Sequence, residues 1–375
     1  MQDCDLDFFE PVAKIVVIGV GGAGNNAVNR MIDEEIANVE FWVANTDKQA
    51  LSTSKALHRL ILGQEITGGL GAGGEPEIGE KAAEASVEDI KEIVKGANMV
   101  FIAAGMGGGT GTGAAPVVAR IARDAGALVI AIVTRPFTFE GKKRVVNSIS
   151  GLNKLRENVD SIIVVSNDKL LMTSGNSAIS SAFNESDKVL AQSVKTVVDL
   201  ILLPAVINLD FADVRNTLKD SGVAMIGFGV GSGPNRAKDA ANDALNSPLL
   251  EASISGARRA IVAVTCGPNV SLFDAQDTVN LLINASGHDV DVKFGVSIND
   301  QLNDEILVSI IASDFEEEID FSSMQPYQAP SRPNDNPVLS PLSDGNIEKE
   351  DENKSDDDID VTSILPGFLN SNDMN

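Results

Sequence analysis

Three glycine clusters hold the residues best able to do chemistry. They are Gly19-Val-Gly-Gly-Ala-Gly-Asn-Asn26, Gly105-Met-Gly-Gly-Gly-Thr-Gly-Thr-Gly113, and Gly68-Gly-Leu-Gly-Ala-Gly-Gly74, the last running into Glu75-Pro76. Glycine lets backbone N–H groups come close to a phosphate, and the helix N-terminus that follows adds partial positive charge. Alone, Gly19-x-Gly21-x-x-Gly24 with Asp47 23 residues further on is a passable dinucleotide fingerprint, as a nicotinamide oxidoreductase would carry. A dehydrogenase needs one such loop, whereas this chain has two, each opening a helix. Two loops on one sheet edge suit a triphosphate gripped from both sides. Neither ends in G-K-[ST], so no P-loop lysine neutralises the phosphates. That task falls to backbone N–H groups, the hydroxyls of Thr110 and Thr112, and a divalent cation, Mg²⁺. Glycines serving only helix–strand packing do not account for the Gly and Thr run of the second cluster. The third cluster, with Pro at a helix start behind it, reads as a pliable loop able to close over the terminal phosphate.

The elements that must position these loops follow from periodicity. Lys14–Gly19, Glu40–Ala44, Met99–Ala104, Leu128–Val133 and Ser161–Ser166 are Val- and Ile-rich runs suited to parallel strands buried on both faces. Helical patterns over Asn25–Asp33, Pro76–Lys95, Gly113–Ala125 and Lys142–Glu157 lie between them. That alternation predicts a doubly wound α/β domain, with ligands at the carboxyl ends of its strands. The longest helix is expected from about Ser181 to Leu203, stopping at Pro204. Beyond it the pattern becomes α+β, with strands at Ala224–Val230, Arg259–Cys266, Val290–Ile298 and Glu305–Ala312 and helices near Arg236–Leu245 and Leu272–Ala285. The expected organisation is a flexible segment 1–13, a nucleotide domain 14–180, a central helix 181–204, a second domain 205–315, an acidic linker 316–358 and a terminal peptide 359–375.

Composition narrows the function classes. The chain has 375 residues, with 29 Lys and Arg against 54 Asp and Glu, a net charge of −25. Such a surface repels phosphate backbones and anionic headgroups, which argues against nucleic-acid binding and direct membrane insertion. Two cysteines far apart, Cys4 and Cys266, form no disulfide framework and suit a reducing cytoplasm. The acidic amino terminus has no signal-peptide pattern. Residues 316–375 hold 15 acidic and 3 basic residues, and within them about 316–358 has too few apolar groups to offset chain entropy and reads as disordered linker. An apolar island follows, Val361-Thr-Ser-Ile-Leu-Pro-Gly-Phe-Leu369, either a frayed tail or a docking motif.

The run Gly107–Gly113 resembles the tubulin signature loop. Together with Ala114-Ala-Pro116, Asn45-Thr-Asp47, Thr134-Arg-Pro-Phe-Thr-Phe-Glu-Gly141 and Asn208-Leu-Asp-Phe-Ala-Asp213, it resembles the FtsZ family, the bacterial cell-division relatives of tubulin. The likeness runs from about Lys14 to Ala312. It implies a tubulin-like α/β fold: a doubly wound parallel-sheet GTP-binding domain joined by a long central helix to a smaller α+β domain that activates hydrolysis.

The resemblance also implies roles. Gly21, Gly22, Ala23, Gly24, Gly108, Gly109, Thr110, Gly111 and Thr112 would cradle the phosphates of GTP or GDP. Guanine would be held by Asn25 or Asn26, Asn167, Asp187 and the ring of Phe183, a carboxylate being able to accept from both N1–H and N2–H of guanine. Glu140 and Arg144 match ribose and phosphate contacts. Asn208, Asp210 and Asp213 match the hydrolytic group, which orients the attacking water and helps hold the cation. A helix of about 22 residues spans on the order of 33 Å, so one chain cannot bring these acids to its own terminal phosphate. In the family they reach the neighbour's nucleotide. Asp210 also reads as a helix N-cap with Asp213 at N3.

Some residues depart from the family pattern. Ala23 replaces a common Gly and limits backbone freedom, Gly68 replaces a basic residue, and Thr265-Cys-Gly-Pro268 differs from a Gly-Gly pair. Ile364-Leu-Pro-Gly-Phe-Leu369 matches the membrane-tether peptide in part, and Asn370 follows where a basic residue is common. The implied function is a polymerisation-dependent GTPase forming head-to-tail filaments of a cytokinetic Z ring beneath the mid-cell membrane, with an adaptor bound to the terminal peptide. The alternatives are a non-hydrolysing GTP-binding scaffold and the oxidoreductase above.

Overall fold

Four strand segments buried on both faces dictate the centre of the molecule, while a fifth expected to be equally buried, Glu40–Asn45, is only half-buried at Glu40, Phe41 and Trp42. In the computed structural model, which describes residues 13–174, 179–202, 205–247, 249–250, 254–286, 290–316 and 321, the chain begins β1 (Ile15–Val20), α1 (Gly21–Asp33), β2 (Glu40–Asn45), α2 (Lys48–Ser52) and β3 (His58–Ile61). It continues α3 (Gln64–Thr67), α4 (Pro76–Ala85), α5 (Val87–Val94), β4 (Met99–Gly105), α6 (Thr110–Asp124) and β5 (Leu128–Arg135). Then come α7 (Lys142–Arg156), β6 (Ser161–Ser166), α8 (Asn167–Ser174) and the long α9 (Ile179–Leu202). Strands β3, β2, β1, β4, β5 and β6 lie side by side in that order, all parallel. Successive side chains of one strand enter opposite cores. Ile15 and Val17, Met99 and Phe101, and Leu128 and Ile130 face α1 and α9, while Val16 and Ile18, Val100 and Ile102, and Val129 and Ala131 face α4, α5 and α6. This is the doubly wound α/β fold read from the sequence.

The sheet does not stop at the long helix. After α10 (Phe211–Leu218), the first residues of β7 (Gly222–Gly231) pair in parallel with the start of β6, Gly222 opposite Ser161. The rest of β7 turns to β10 (Ile306–Phe315), antiparallel. Strand β10 then pairs antiparallel with β8 (Ala257–Cys266), and β8 in parallel with β9 (Asp291–Ile298). Helices α11 (Arg236–Leu245) and α12 (Leu272–Ser286) cover this α+β part, giving one ten-stranded sheet.

The differences from the expected elements have local causes. Pro76–Lys95 is two helices, parted at buried Ser86, whose backbone leaves the helical region (φ −109°, ψ 19°) and whose hydroxyl accepts the Gly63 N–H at 3.0 Å. The helices expected from Asn25 and Gly113 begin earlier, at Gly21 and Thr110, so much of each glycine cluster is first helical turn. Phe321, within the stretch expected to be linker, is fully buried in the same core as α4, α5 and α6, with the guanidinium of Arg156, at the end of α7, 5.8 Å from its ring centroid. The expectations for residues 1–12, the remainder of the linker and the terminal peptide lie outside the described residues.

Candidate functional site

All three glycine clusters meet at the carboxyl edge of the parallel strands. Helix α1 starts directly after β1 and α6 five residues after β4, and neither has a side chain capping its N-terminus. Their first N–H groups therefore lack the usual internal acceptor. The loops approach closely: Gly21 has φ +75°, and a Cβ there would lie 2.8 Å from Gly111 N. A Cβ on Gly24 would meet Ala103 O at 2.2 Å, and one on Gly111 would meet Gly105 O at 2.5 Å. These three glycines are required by the protein itself. Gly22 and Gly108 are different, because a Cβ on either meets nothing within 4 Å and neither has positive φ. The space left open there is what a phosphate group between two helix N-termini needs. Ala23 adopts helical backbone in α1, so its methyl causes no strain.

This distinction predicts the behaviour of Gly108→Val. The variant should melt within about 2 °C of the parent, since no protein atom is displaced and ordinary φ accepts a side chain. Its nucleotide affinity should fall at least about tenfold, because the isopropyl group occupies phosphate space. Differential scanning calorimetry beside fluorescent-nucleotide titration checks both.

Hydrogen bonds sort the polar residues. Thr110 Oγ1 lies 2.7 Å from Thr46 Oγ1. The Thr112 hydroxyl accepts the Gly107 N–H at 2.8 Å and is buried, so it holds the shape of the second loop. Asn25 is buried too, and its amide donates to Gly21 O and Gly19 O at 2.9 and 3.1 Å while accepting from Asn45 Nδ2 at 3.2 Å. It braces the first loop, and Asn26 next to it is the exposed amide. Asp47 caps α2, accepting from the N–H groups of Gln49 and Ala50.

A second group lies beside β5 and β6. Glu140 accepts from the Phe137 N–H at 2.9 Å and from the Arg144 guanidinium in an i,i+4 ion pair. Phe183 stands edge-on to buried Phe137 with centroids 5.0 Å apart, and its own ring is partly exposed. Asn167, buried at the end of β6, accepts from the Ser186 hydroxyl at 2.8 Å, fixing the early part of α9 to the sheet edge. Asp187 follows on that helix. Burial pushes its carboxyl up to about 7, against the opposing pull of Arg30. An acceptor of this kind favours a ligand that brings two N–H donors.

Asn208, Asp210 and Asp213 are not part of this assembly. Asp210 is the N-cap of α10, accepting the Asp213 N–H at 2.7 Å. From α10 the chain reaches Asp220, bonded to Arg123 at the end of α6 at 2.5 Å, and then Ser221 and Gly222, whose N–H groups donate to Asp160 O at 2.9 and 3.1 Å. Asp160 precedes β6, so α10 leads into the amino edge of the parallel strands, opposite the glycine loops. Helix α9, with 24 residues, is about 36 Å long and separates the two sets. Among the described residues no group of three or more His, Cys, Asp or Glu could hold a metal ion. Sequence reasoning passed over Thr46 and Asn45 as site residues, although both lie in the Asn45-Thr-Asp47 turn it had singled out.

Comparison with known proteins identifies the fold. Residues 14–175 match the Tubulin/FtsZ family, GTPase domain, and residues 222–316 match the FtsZ family, C-terminal domain. Among solved structures, an empty FtsZ dimer of M. jannaschii is 39% identical, with a TM-score of 0.79 over 86% of this chain and 95% of that one. A tryptophan-to-tyrosine mutant of M. jannaschii FtsZ is 41% identical, with a TM-score of 0.78 over 81% and 92%. A GTPgS-bound CetZ2 protofilament of Haloferax volcanii, 22% identical with a TM-score of 0.71 over 83% and 96%, shares the fold.

Proposed function

The chain belongs to the tubulin/FtsZ family of GTPases, in its FtsZ branch, and from that premise we propose that it hydrolyses GTP only between subunits stacked head to tail. One observation carries this reading: the phosphate loops lie at one edge of the sheet and Asp210 and Asp213 at the other, across the length of α9. In a stack, the loops of one molecule face the acids of the next. Such a contact is heterologous and does not close, so it propagates a filament. Exposed apolar side chains support contact at both ends. Leu70 and Phe139 stand at the loop edge, and Val206 and Ile298 flank the Ile207–Val296 bridge beside α10.

Gly22, Gly108 and Thr110 would cradle the phosphates, while Asp187, Asn26 and Phe183 would hold guanine, with Glu140 and Arg144 near the ribose. Asp213, Asp210 and Asn208 of the next subunit would orient water for in-line attack. A magnesium ion would neutralise charge on the phosphate oxygens. The donor set at the loops, neutral hydroxyls and backbone groups, suits Mg²⁺, which keeps most of its ligands as water and phosphate. By family likeness the filament would form the Z ring beneath the division-site membrane in the cytoplasm. The acidic stretch would act as spacer and residues 361–369 would bind a tethering adaptor. No helix among the described residues is long and apolar enough to cross a membrane.

Light scattering and phosphate release measured together test the proposal. Turnover per molecule should rise steeply with protein concentration and level off once scattering shows assembly with GTP but not GDP. A specific rate independent of concentration overturns it.

A further inference from the structure

We infer that Thr46 is a positioning residue, its buried hydroxyl aiming the Thr110 hydroxyl at the terminal phosphate. The inference rests on the GTP-binding reading above. Thr46 is fully buried, and its Oγ1 lies 2.7 Å from Thr110 Oγ1, with either atom able to donate. Thr110 opens α6 at the mouth of the loops, only partly buried. A phosphate oxygen is acceptor-only, so a Thr110 hydroxyl that donates to it has its proton committed. Thr110 Oγ1 must then accept from Thr46, and the proton order becomes Thr46 O–H to Thr110 O–H to phosphate oxygen. A chain of this kind strengthens each member, and a buried hydroxyl loses more when its partner is removed than an exposed one does.

The same residue reaches the third glycine cluster. The Thr46 carbonyl accepts from the Gly71 N–H at 3.1 Å and from the Thr67 hydroxyl at 3.3 Å, while Lys48 N–H donates to Gly69 O at 2.9 Å. The second cluster abuts the third as well, since a Cβ on Gly109 would lie 2.8 Å from Ala72 Cβ and 3.0 Å from Glu75 N. The first cluster instead meets the second at Gly111. A triphosphate running from the first cluster towards the third therefore presents its last phosphate on the Thr46–Thr110 side. Thr46 links that phosphate's donor to the loop that covers it.

The test uses the full chain, with GTP and GDP competed against a fluorescent guanine nucleotide. Thr46→Val keeps the side-chain shape and removes the hydroxyl. It should lose roughly tenfold in GTP affinity, the worth of one buried hydroxyl pair that orders the donor to the phosphate, while GDP affinity stays within about twofold. Thr46→Ser, which keeps the hydroxyl, should bind GTP like the parent. In a Thr110→Ala background the Val substitution should cost almost nothing more, because the two hydroxyls act as one unit. Equal losses for GTP and GDP accompanied by a fall in melting temperature would mark a purely structural residue and overturn the inference. So would unchanged GTP affinity in Thr46→Val, or a full additional loss in the Thr110→Ala background. A parent protein that binds neither nucleotide would instead bring down the GTP-binding reading itself.

Discussion

Asp213→Ala should bind GTP within about twofold of the parent yet turn over on the order of 100-fold more slowly, the usual loss when one group that stabilises a hydrolytic transition state is removed. Binding is spared because Asp213 is remote from the glycine loops of its own chain, beyond α9 and at the opposite edge of the sheet. Its N–H is held by the Asp210 carboxylate at 2.7 Å. Since Asp210 is the donor-accepting cap, Asp210→Ala should in addition loosen the start of α10, at a cost of about 1 kcal/mol. Asp213→Ala leaves that cap in place and is the cleaner probe. Mixing supplies the decisive measurement. Asp213→Ala has sound phosphate loops, and Gly108→Val has sound acids. Each alone should be nearly inactive, and an equimolar mixture should recover phosphate release, because the loops of the first then meet the acids of the second. A mixture no faster than its two components would refute the shared site.

Asp187→Asn should weaken GTP binding by about 100-fold, since a neutral amide replaces the carboxylate that, in the proposed site, would accept two N–H donors from guanine. The pH dependence is the sharper readout. In the empty protein the Asp187 carboxyl titrates at about 7, raised chiefly by burial. Guanine requires the ionised form, so below that pH binding must release a proton. Affinity should fall about tenfold per pH unit on the acid side and level off above it. The Asn variant should lack this component, and the difference between the two profiles removes the nucleotide's own titration. Stability should move the opposite way. A carboxyl whose folded pKa is raised stabilises the fold fully below its unfolded value. That contribution is lost as pH climbs through about 7, because the unfolded chain releases the proton sooner. At pH 8 the empty Asp187→Asn protein should therefore melt higher than the parent. Chemical denaturation at pH 5 and pH 8 measures this, and equal parent-minus-variant differences at the two pH values would contradict the buried, charged acceptor.

Much of this architecture was legible in the amino-acid order. Continuous burial over Ile15–Val20 and residues 99–104 follows from apolar runs rich in Val, Ile and Ala, too apolar for a half-solvated strand. Pro204 stands just past Leu202, where α9 ends as described. The reading of Asp210 as N-cap and Asp213 as N3 matches the hydrogen bond between them. Helix starts were harder. Glycine has poor helix propensity, so Gly21–Gly24 and Thr110–Thr112 read as loop, although both segments are first turns with their N–H groups presented outward. The break at Ser86 was hidden because no Gly or Pro marks it, and the partner its hydroxyl meets there, the Gly63 N–H, is 23 residues away.

Residue types and their spacing along the chain determined which segments fold into strands and helices, where glycine lets backbone approach an anion, and which family this chain belongs to. Those are properties of local stretches: burial periodicity encodes the elements, and short contiguous motifs carry the glycine sites and the family likeness. Only the tertiary structure decided which polar atoms are already engaged and which remain open. It placed Asn25 as a brace rather than an exposed contact, turned the Thr112 hydroxyl inward, paired Thr110 with Thr46, and buried Phe321 beside Arg156. It also carried the sheet through β7 into β10, where a parallel pairing gives way to an antiparallel one within a single strand. The physical reason is shared by the Thr46–Thr110 pair, buried Phe321 and the two pairings of β7. A hydrogen bond or a packed ring is satisfied by atoms brought together from distant positions, and no local pattern of residues records which partner the fold will supply.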